Sequence, residues 1–161
     1  MKGEGYVLSV DQASNAAGVS LWHNRVLIAH TVLKSKNSKD SFSRRVQAQS
    51  IDLREFLDAY LPPEDTITTV LFESVKSRVV MAVIGSVLVN DRIDSSLGPG
   101  TLIPSMSWKK WAQGMGATGP LKDIKGVPSL RQTGFDVDKY VVTSEDTADS
   151  IMIFLTWISK K

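Results

Sequence analysis

Residues 6–22 read YVLSVDQASNAAGVSLW, and this stretch organises the predicted fold. Its first residues predict a buried strand because they are rich in Val and Leu, and a carboxylate, Asp11, follows where the apolar run stops. The small residues after Asp11 predict a turn, and residues 19–22 predict the second strand of a hairpin. Asp11 therefore lies at the mouth of a hairpin, where it either caps the turn or serves a chemical role.

The chain has 161 residues, of which 42% are hydrophobic and 22% are charged. This composition is typical of a soluble globular protein, and we expect one domain over residues 1–161. The longest apolar stretch, residues 79–89, is shorter than the roughly 20 residues that span a bilayer, and the first residues lack the apolar core of a secretory signal. The absence of cysteine excludes disulfides and thiolate metal sites. We therefore expect a cytoplasmic protein without a membrane partner.

Hydrophobic periodicity predicts the remaining elements. In chain order they are a third antiparallel strand over residues 25–33, an amphipathic helix from Ser43 to Pro62, a strand over residues 66–75, a helix over residues 78–90, a short strand over residues 101–103, a helix over residues 108–113 and a last helix from Thr143 or Ser144. Residues 95–100 and 114–133 are predicted to be loops, of which the second is mobile and has room for one short helical turn.

Basic side chains are concentrated in two regions of the sequence. The formal net charge of +2 permits nucleic-acid binding without requiring it. Each region contains few acids, so its side chains either form ordinary solvated surface or contact phosphates. The candidates for phosphate contacts are Lys34, Lys36, Lys39, Lys109, Lys110, Lys122, Lys125 and Arg131.

Further carboxylates break apolar patterns as Asp11 does. Glu73 interrupts the predicted strand over residues 66–75, while Asp146 and Asp149 lie at the start of the last helix. The helix dipole explains Asp146 and Glu145, because acids are favoured in the first helical turn. Asp149 follows on the same helix face beside the apolar stripe, where two like charges destabilise the helix unless a positive charge lies between them.

The acids that need an explanation therefore come from three distant segments: Asp11, Glu73, Asp146 and Asp149. Such a set suits a hard cation, because Mg²⁺ prefers carboxylate and water oxygens. Two ions about 3.5–4 Å apart can activate water and stabilise a leaving oxygen in phosphodiester cleavage. The sequence thus favours a site for a hard divalent cation such as Mg²⁺.

These motifs, in their order along the chain, resemble the RuvC-type Holliday junction resolvases of the RNase H-like superfamily. They are SVDQAS and GVS within residues 9–20, LFESV at 71–75, EDTADS at 145–150, and PSMSWKKWAQGMGA at 104–117. Gln12 and Ala13 replace the proline and glycine of the bacterial enzymes, and residues 114–140 do not follow their pattern. These departures are similar to those of divergent bacteriophage members, which implies the cytoplasm of a bacterial or phage-infected cell.

The resemblance implies an α/β RNase H-like fold, in which three antiparallel strands and further parallel strands form a mixed five-stranded sheet flanked by helices. It implies a homodimer that cleaves four-way and other branched DNA with two Mg²⁺ or Mn²⁺ ions per active site. Asp11 would bridge both ions, Glu73 would bind one and orient water, and Asp146 and Asp149 would complete the site. Lys122 is the first candidate for a catalytic basic residue and Lys125 the second. The helix over residues 79–89 is the candidate dimer interface, although a central helix of a monomer core would have the same composition.

Other functions share parts of this pattern. One is an RNase H-like nuclease acting on RNA, of the type that trims ribosomal RNA precursors; another is a branched-DNA-binding domain without catalysis. Sugar-kinase-like nucleotide binding shares the strand order but needs a second domain and a phosphate loop. Trp108 and Trp111 lie three apart on one helix face, where core packing is favoured over base stacking.

Overall fold

A computed structural model of the chain describes residues 2–34, 39–74, 77–94 and 100–160, without the side chain of Val79. The strands are β1 (Tyr6–Asp11), β2 (Ala16–His23), β3 (Val26–Lys34), β4 (Ile67–Ser74) and β5 (Thr101–Pro104). The helices are α1 (Phe42–Tyr60), α2 (Arg78–Leu88), α3 (Ser105–Gly114), α4 (Gly126–Gln132) and α5 (Glu145–Ser159).

The strands form one mixed sheet in the order β3-β2-β1-β4-β5. The first three are antiparallel, whereas β4 runs parallel to β1 and β5 runs parallel to β4. This is the five-stranded arrangement that the resemblance implied. Because β1 and β4 are parallel neighbours in the middle of the sheet, their carboxyl ends meet at one edge.

Hydrophobic side chains are buried on both faces of the sheet. Val7 packs into a core with residues of α3, α4 and α5, whereas Leu8 and Val10 belong to a second core with residues of α1 and α2. Neighbouring side chains of a strand point to opposite faces, so Val7 and Leu8 enter different cores. The central strand is therefore covered on both sides, which explains its nearly continuous apolar sequence.

Helix ends follow local signals that the sequence contains. Helix α1 begins after Ser41, whose hydroxyl accepts a hydrogen bond from the backbone N–H of Arg44 at 3.4 Å, and it ends before Pro62. Ser144 caps α5 in the same way by accepting from the N–H of Thr147 at 3.3 Å. Each cap satisfies an N–H group that has no partner within the helix. The predicted stop at Pro62 and the predicted Ser144 cap are confirmed.

The prediction for residues 114–133 was wrong. This segment contains a 3-10 turn over Leu121–Asp123 and the seven-residue helix α4, with Ile124 and Leu130 fully buried in the core beneath α5. Glycine and proline reduce local helix propensity, but burial of these aliphatic side chains outweighs that preference.

Helix α3 also differs from its predicted bounds, because it begins at Ser105 rather than at Trp108. Pro104 precedes it with φ −59°, an angle already suited to a helix start. Trp108 is 2% exposed, and Trp111 is partly buried against the same core. Their predicted role in core packing is confirmed.

Part of the predicted pattern lies outside the described residues. This holds for the loop over residues 95–99 and for Val75 at the end of the predicted strand. Among the described residues, none of the helices has the length and apolarity needed to cross a lipid bilayer.

Candidate active site

The side chains of Asp11 and Glu73 meet where β1 and β4 end. Val10 is paired with Phe72 in the parallel ladder, so the next residue of each strand is Asp11 and Glu73. After burial and the charge of Asp149, the negative charge of Glu73 raises the pKa of Asp11, so the two carboxyl groups are neighbours. Asp11 thus lies beside another acid from a distant segment, as the hypothesis of a chemical role requires.

Helix α5 brings Asp146 and Asp149 to the same edge, and a glycine in β2 makes its approach possible. Gly18 is the register partner of Asp11. A Cβ atom at Gly18 would lie 2.1 Å from both the carbonyl carbon and the carbonyl oxygen of Asp146, and 2.6 Å from the backbone nitrogen of Thr147. No side chain larger than a hydrogen atom fits between the strand and the helix at this point.

Asp149 is held in place by the backbone that begins α4. It is 9% exposed, and its Oδ1 accepts a hydrogen bond from the N–H of Gly126 at 2.7 Å. One residue further along α5, the Ser150 carbonyl accepts a hydrogen bond from the Ser9 hydroxyl of β1 at 2.7 Å. These two contacts fix the first turns of α5 between the sheet and α4.

The electrostatics of the acids show that they share one environment. Burial, followed by the negative charges of Asp149, Glu73 and Asp146, raises the pKa of Asp11 from 3.8 to about 9. Burial also raises the pKa of Asp149 to about 7, although the hydrogen bond from Gly126 opposes this shift. Burial and the neighbouring Glu145 raise the pKa of Asp146. Ionisation of these three aspartates is disfavoured, because each charge would be desolvated and would face like charges.

No basic side chain neutralises this cluster within the described part of the chain. Lysine, arginine and histidine residues there form no ion pair with Asp11, Glu73, Asp146 or Asp149. Four half-buried or buried carboxyl groups without a counter-charge form an unfavourable arrangement for the protein alone.

The donor chemistry of the cluster fits a divalent cation. All of its potential ligands are carboxylate oxygens, the donors that Mg²⁺ and Mn²⁺ prefer, and a bound cation would offset both the burial of these charges and their mutual repulsion. Among the described residues, no group of three or more His, Asp or Glu side chains is already arranged to hold a metal ion.

The predicted basic residues differ in their surroundings. Lys36 lies outside the described residues. Lys109 is half-buried with its Nζ 5.5 Å from the centre of the Trp108 ring, and Arg131 donates to both carboxylate oxygens of Asp138 at 2.8 and 3.1 Å. The exposed members of the set are Lys34, Lys39, Lys110, Lys122, Lys125 and Arg131.

Of the two candidates for a catalytic basic residue, Lys125 has a contact beside the acids. Its Nζ lies 4.0 Å from Oε1 of Glu145, and the next residue is Gly126, which donates to Asp149. Lys122 is exposed on the 3-10 turn that precedes it. The catalytic role of Lys122 stays a prediction, and the surroundings of Lys125 make it an equally good candidate.

Sequence reasoning missed the side chains that hold the turn after Asp11. Gln12 is buried and hydrogen-bonded to the backbone of Glu73. From α1, Gln49 donates to the carbonyls of Ala13 and Ser14 at 2.8 and 3.0 Å. Neither glutamine stands out in the sequence, because the backbone groups that it contacts lie 61 and 36 positions away.

Two solved structures share this fold over most of the chain. RuvC of Thermus thermophilus in complex with a Holliday junction substrate has a TM-score of 0.60 and 18% identity, covering 95% of this chain and 92% of that chain. A second structure of Thermus thermophilus RuvC has a TM-score of 0.58 and 18% identity, covering 94% of this chain and 91% of that chain. No protein-family model and no curated protein matches the sequence. The chain thus has the RNase H-like fold of RuvC.

Proposed function

We propose that this chain is a RuvC-type endonuclease that resolves four-way DNA junctions, and accepts other branched DNA, by metal-dependent phosphodiester hydrolysis. The observation that carries the proposal is the cluster of Asp11, Glu73, Asp146 and Asp149. Three distant segments supply these acids to one edge of an RNase H-like sheet, and their shared environment raises the pKa values of its aspartates. The RuvC structure with the same fold was solved with a Holliday junction substrate.

The acids have distinct roles in this proposal. Two bound Mg²⁺ or Mn²⁺ ions would activate a water molecule and stabilise the leaving oxygen of the cleaved strand. Asp11 would contact both ions, Glu73 would contact one and orient the attacking water, and Asp146 and Asp149 would complete the ligand set. Lys122 or Lys125 would contact the scissile phosphate.

The remaining basic residues would hold the DNA backbone. Phosphate contacts position a nucleic acid without reading its sequence, and exposed lysines are suited to them. Arg131 would exchange its ion pair with Asp138 for a phosphate, which is inexpensive because exposed ion pairs contribute little stability. The proposed set is Lys34, Lys36, Lys39, Lys109, Lys110, Lys122, Lys125 and Arg131.

The direct test uses a labelled synthetic four-way junction in Mg²⁺ and in chelator. We expect paired nicks near the crossover that require the metal, and a loss of about 10³-fold or more in rate for Asp146→Asn. Glu55→Gln is the matched control, since it neutralises an exposed acid of α1 that does not affect the pKa of Asp11, Asp146 or Asp149, and it should cleave nearly as the unchanged protein does.

Two other results would contradict the proposal. Cleavage of structured RNA without cleavage of the junction would favour the ribonuclease alternative. Tight junction binding without cleavage in any divalent ion would favour a binding domain without catalysis.

We also propose that the protein acts as a homodimer through α2. Two symmetric cuts in one junction require two active sites related by a two-fold axis. Helix α2 buries Val83, Ile84 and Val87 in its own core but leaves an apolar face exposed. That exposed face consists of Met81, Ala82, Gly85 and Val89. An exposed apolar face of this kind is suited to a second copy of the chain.

Gly85→Arg is expected to convert the dimer into a monomer without unfolding it. A Cβ at Gly85 meets no atom within 4 Å, so the protomer has room for the new side chain, whereas a charge on this face opposes packing of a second copy. Light scattering at micromolar concentration measures the mass, and circular dichroism checks the fold. Gly114→Arg is the matched control, because Gly114 ends α3 and also faces open space. A monomeric unchanged protein, or equal dissociation of both variants, would contradict the proposed interface.

A further inference from the structure

The side chain of Gln12 is almost entirely buried, and both polar atoms of its amide are used. It is 7% exposed. Its Nε2 donates to the carbonyl of Glu73 at 2.5 Å, and its Oε1 accepts from the backbone N–H of Glu73 at 3.2 Å. One side chain therefore satisfies both backbone polar groups of a residue 61 positions away.

This pair of bonds lies where the backbone ladder stops. The parallel pairing of β1 with β4 ends at Val10 and Phe72, immediately before Asp11 and Glu73. An amide side chain carries the same donor and acceptor as a peptide group, so Gln12 continues the pairing for one further position. Glu73 is thereby attached to β1 after the two main chains have ceased to pair.

We propose that Gln12 is a positioning residue for the metal site: its amide fastens the backbone of Glu73 to the end of β1 and so sets the spacing between Glu73 and Asp11. The inference rests on the proposed function, which makes Glu73 a metal ligand. Gln12 itself contacts neither the metal nor the DNA in this account. It acts through Glu73, as outer-shell partners of metal ligands do.

Only glutamine meets the requirements of this position. Asparagine is shorter by one methylene group and cannot reach both backbone groups from the same main-chain position. Glutamate can accept from the N–H of Glu73 but would place a carboxylate oxygen against its carbonyl. Methionine has a similar length and is equally compatible with burial, but it cannot donate a hydrogen bond.

The turn has other anchors, so the role of Gln12 can be tested separately from folding. Gln49 holds the carbonyls of Ala13 and Ser14, and Arg45 donates to Oδ1 of Asn15 at 2.5 Å. These bonds come from α1 and remain when the amide of Gln12 is removed. A Gln12→Met variant should therefore fold with the turn in place and with Glu73 released.

The test compares Gln12→Met with Gln113→Met. Gln113 is an exposed residue of α3 whose amide also donates to a backbone carbonyl, that of Gly119 at 3.2 Å, so the control removes a bond of the same type elsewhere. The first readout is amide hydrogen exchange of Glu73 in the metal-free protein. We expect exchange at Glu73 to be faster by about tenfold or more in Gln12→Met only, because its N–H loses its acceptor.

The second readout is Mn²⁺ binding by titration calorimetry, followed by junction cleavage. We expect the Mn²⁺ dissociation constant of Gln12→Met to rise by about 10- to 100-fold. Junction binding in chelator should stay within about twofold of the unchanged protein, and high Mn²⁺ should restore much of the lost kcat. Rescue by metal separates a positioning role from general structural damage, which added Mn²⁺ would not repair.

The outcomes separate this inference from the proposed function. Suppose that the unchanged protein binds Mn²⁺ and cleaves junctions. If Gln12→Met then binds Mn²⁺ with the same affinity, the inference is overturned and the proposed function stays intact. Failure of the unchanged protein to bind Mn²⁺ or to cleave would overturn the proposed function, and the role of Gln12 at a metal site with it.

Discussion

Asp11→Asn is expected to abolish cleavage and, at the same time, to stabilise the metal-free protein. In the proposed mechanism Asp11 would hold both ions, so the variant should lose about 10³-fold or more in rate, equivalent to about 4 kcal/mol of transition-state stabilisation. The gain in stability follows because an amide cannot ionise, so the variant places no additional negative charge among Glu73, Asp146 and Asp149. A substitution that stabilises the fold and abolishes activity is typical of a functional site.

The raised pKa of Asp11 predicts the direction in which the free energy of unfolding changes with pH. Burial and neighbouring acids raise the pKa of Asp11 to about 9 in the folded protein, against an ordinary value of 3.8. Between these pH values the folded chain keeps a proton that the unfolded chain has released. The free energy of unfolding therefore falls as pH rises through this window, by at most about 1.4 kcal/mol per pH unit for one proton.

Urea unfolding between pH 5 and pH 9, about the window in which the two states differ, measures this slope. In chelator we expect the unchanged protein to lose stability with rising pH and Asp11→Asn to lose less. Mg²⁺ should reverse the trend in the unchanged protein alone, because a bound cation favours the ionised carboxylate. Asp138→Asn is the null control, since Arg131 lowers the pKa of Asp138 and this carboxyl is therefore ionised in both states throughout the window. If the free energy of unfolding changed equally with pH in the unchanged protein and in Asp11→Asn, the raised pKa of Asp11 would be contradicted.

Gly18→Ala is expected to remove cleavage through a single added methyl group. Its Cβ would lie 2.1 Å from the carbonyl carbon and oxygen of Asp146, and these are backbone atoms that no side-chain rotation can move away. The start of α5 must shift from the sheet, which carries Asp146 and Asp149 away from Asp11. We expect a loss of about 1–3 kcal/mol in stability, the usual cost of overpacking, together with loss of metal-dependent cleavage.

Gly114→Ala is the matched control for this prediction. It makes the same substitution at the end of α3, where an added Cβ meets no atom within 4 Å, and it should leave stability and cleavage nearly unchanged. Thermal unfolding and the junction assay measure both effects. Cleavage at the unchanged rate by Gly18→Ala would show that the close approach of α5 is not needed for activity.

The sequence predicts those elements that are determined by residues close together in the chain. Strand β1 follows from Val7, Leu8 and Val10. The end of α1 follows from Pro62, and the start of α5 follows from the capping residue Ser144. The gathering of the acids was also predictable in outline. That expectation came from four acids in three distant segments, each beside apolar sequence, whose carboxylates suit a hard cation.

The features that were missed depend on contacts between residues that lie far apart in the sequence. The seven residues of α4 are helical because Leu130 is buried beneath α5 and Gly126 bonds to Asp149, neither of which is visible in local periodicity. Gln12 and Gln49 look like ordinary polar residues until their backbone partners, 61 and 36 positions away, are placed beside them. Gly18 was predicted to lie in the turn before the second strand, whereas the structure places it inside β2, and the reason for a glycine there is the close approach of α5.

The packing of α5 against β1 and β2 has a consequence during synthesis of the protein. Chains emerge from the ribosome with their N-terminal residues first, so Asp11 and Glu73 are made long before Asp146 and Asp149. A nascent chain that still lacks α5 holds only half of the proposed ligand set. On the proposed function, it therefore has no complete hydrolytic centre until α5 docks against the sheet.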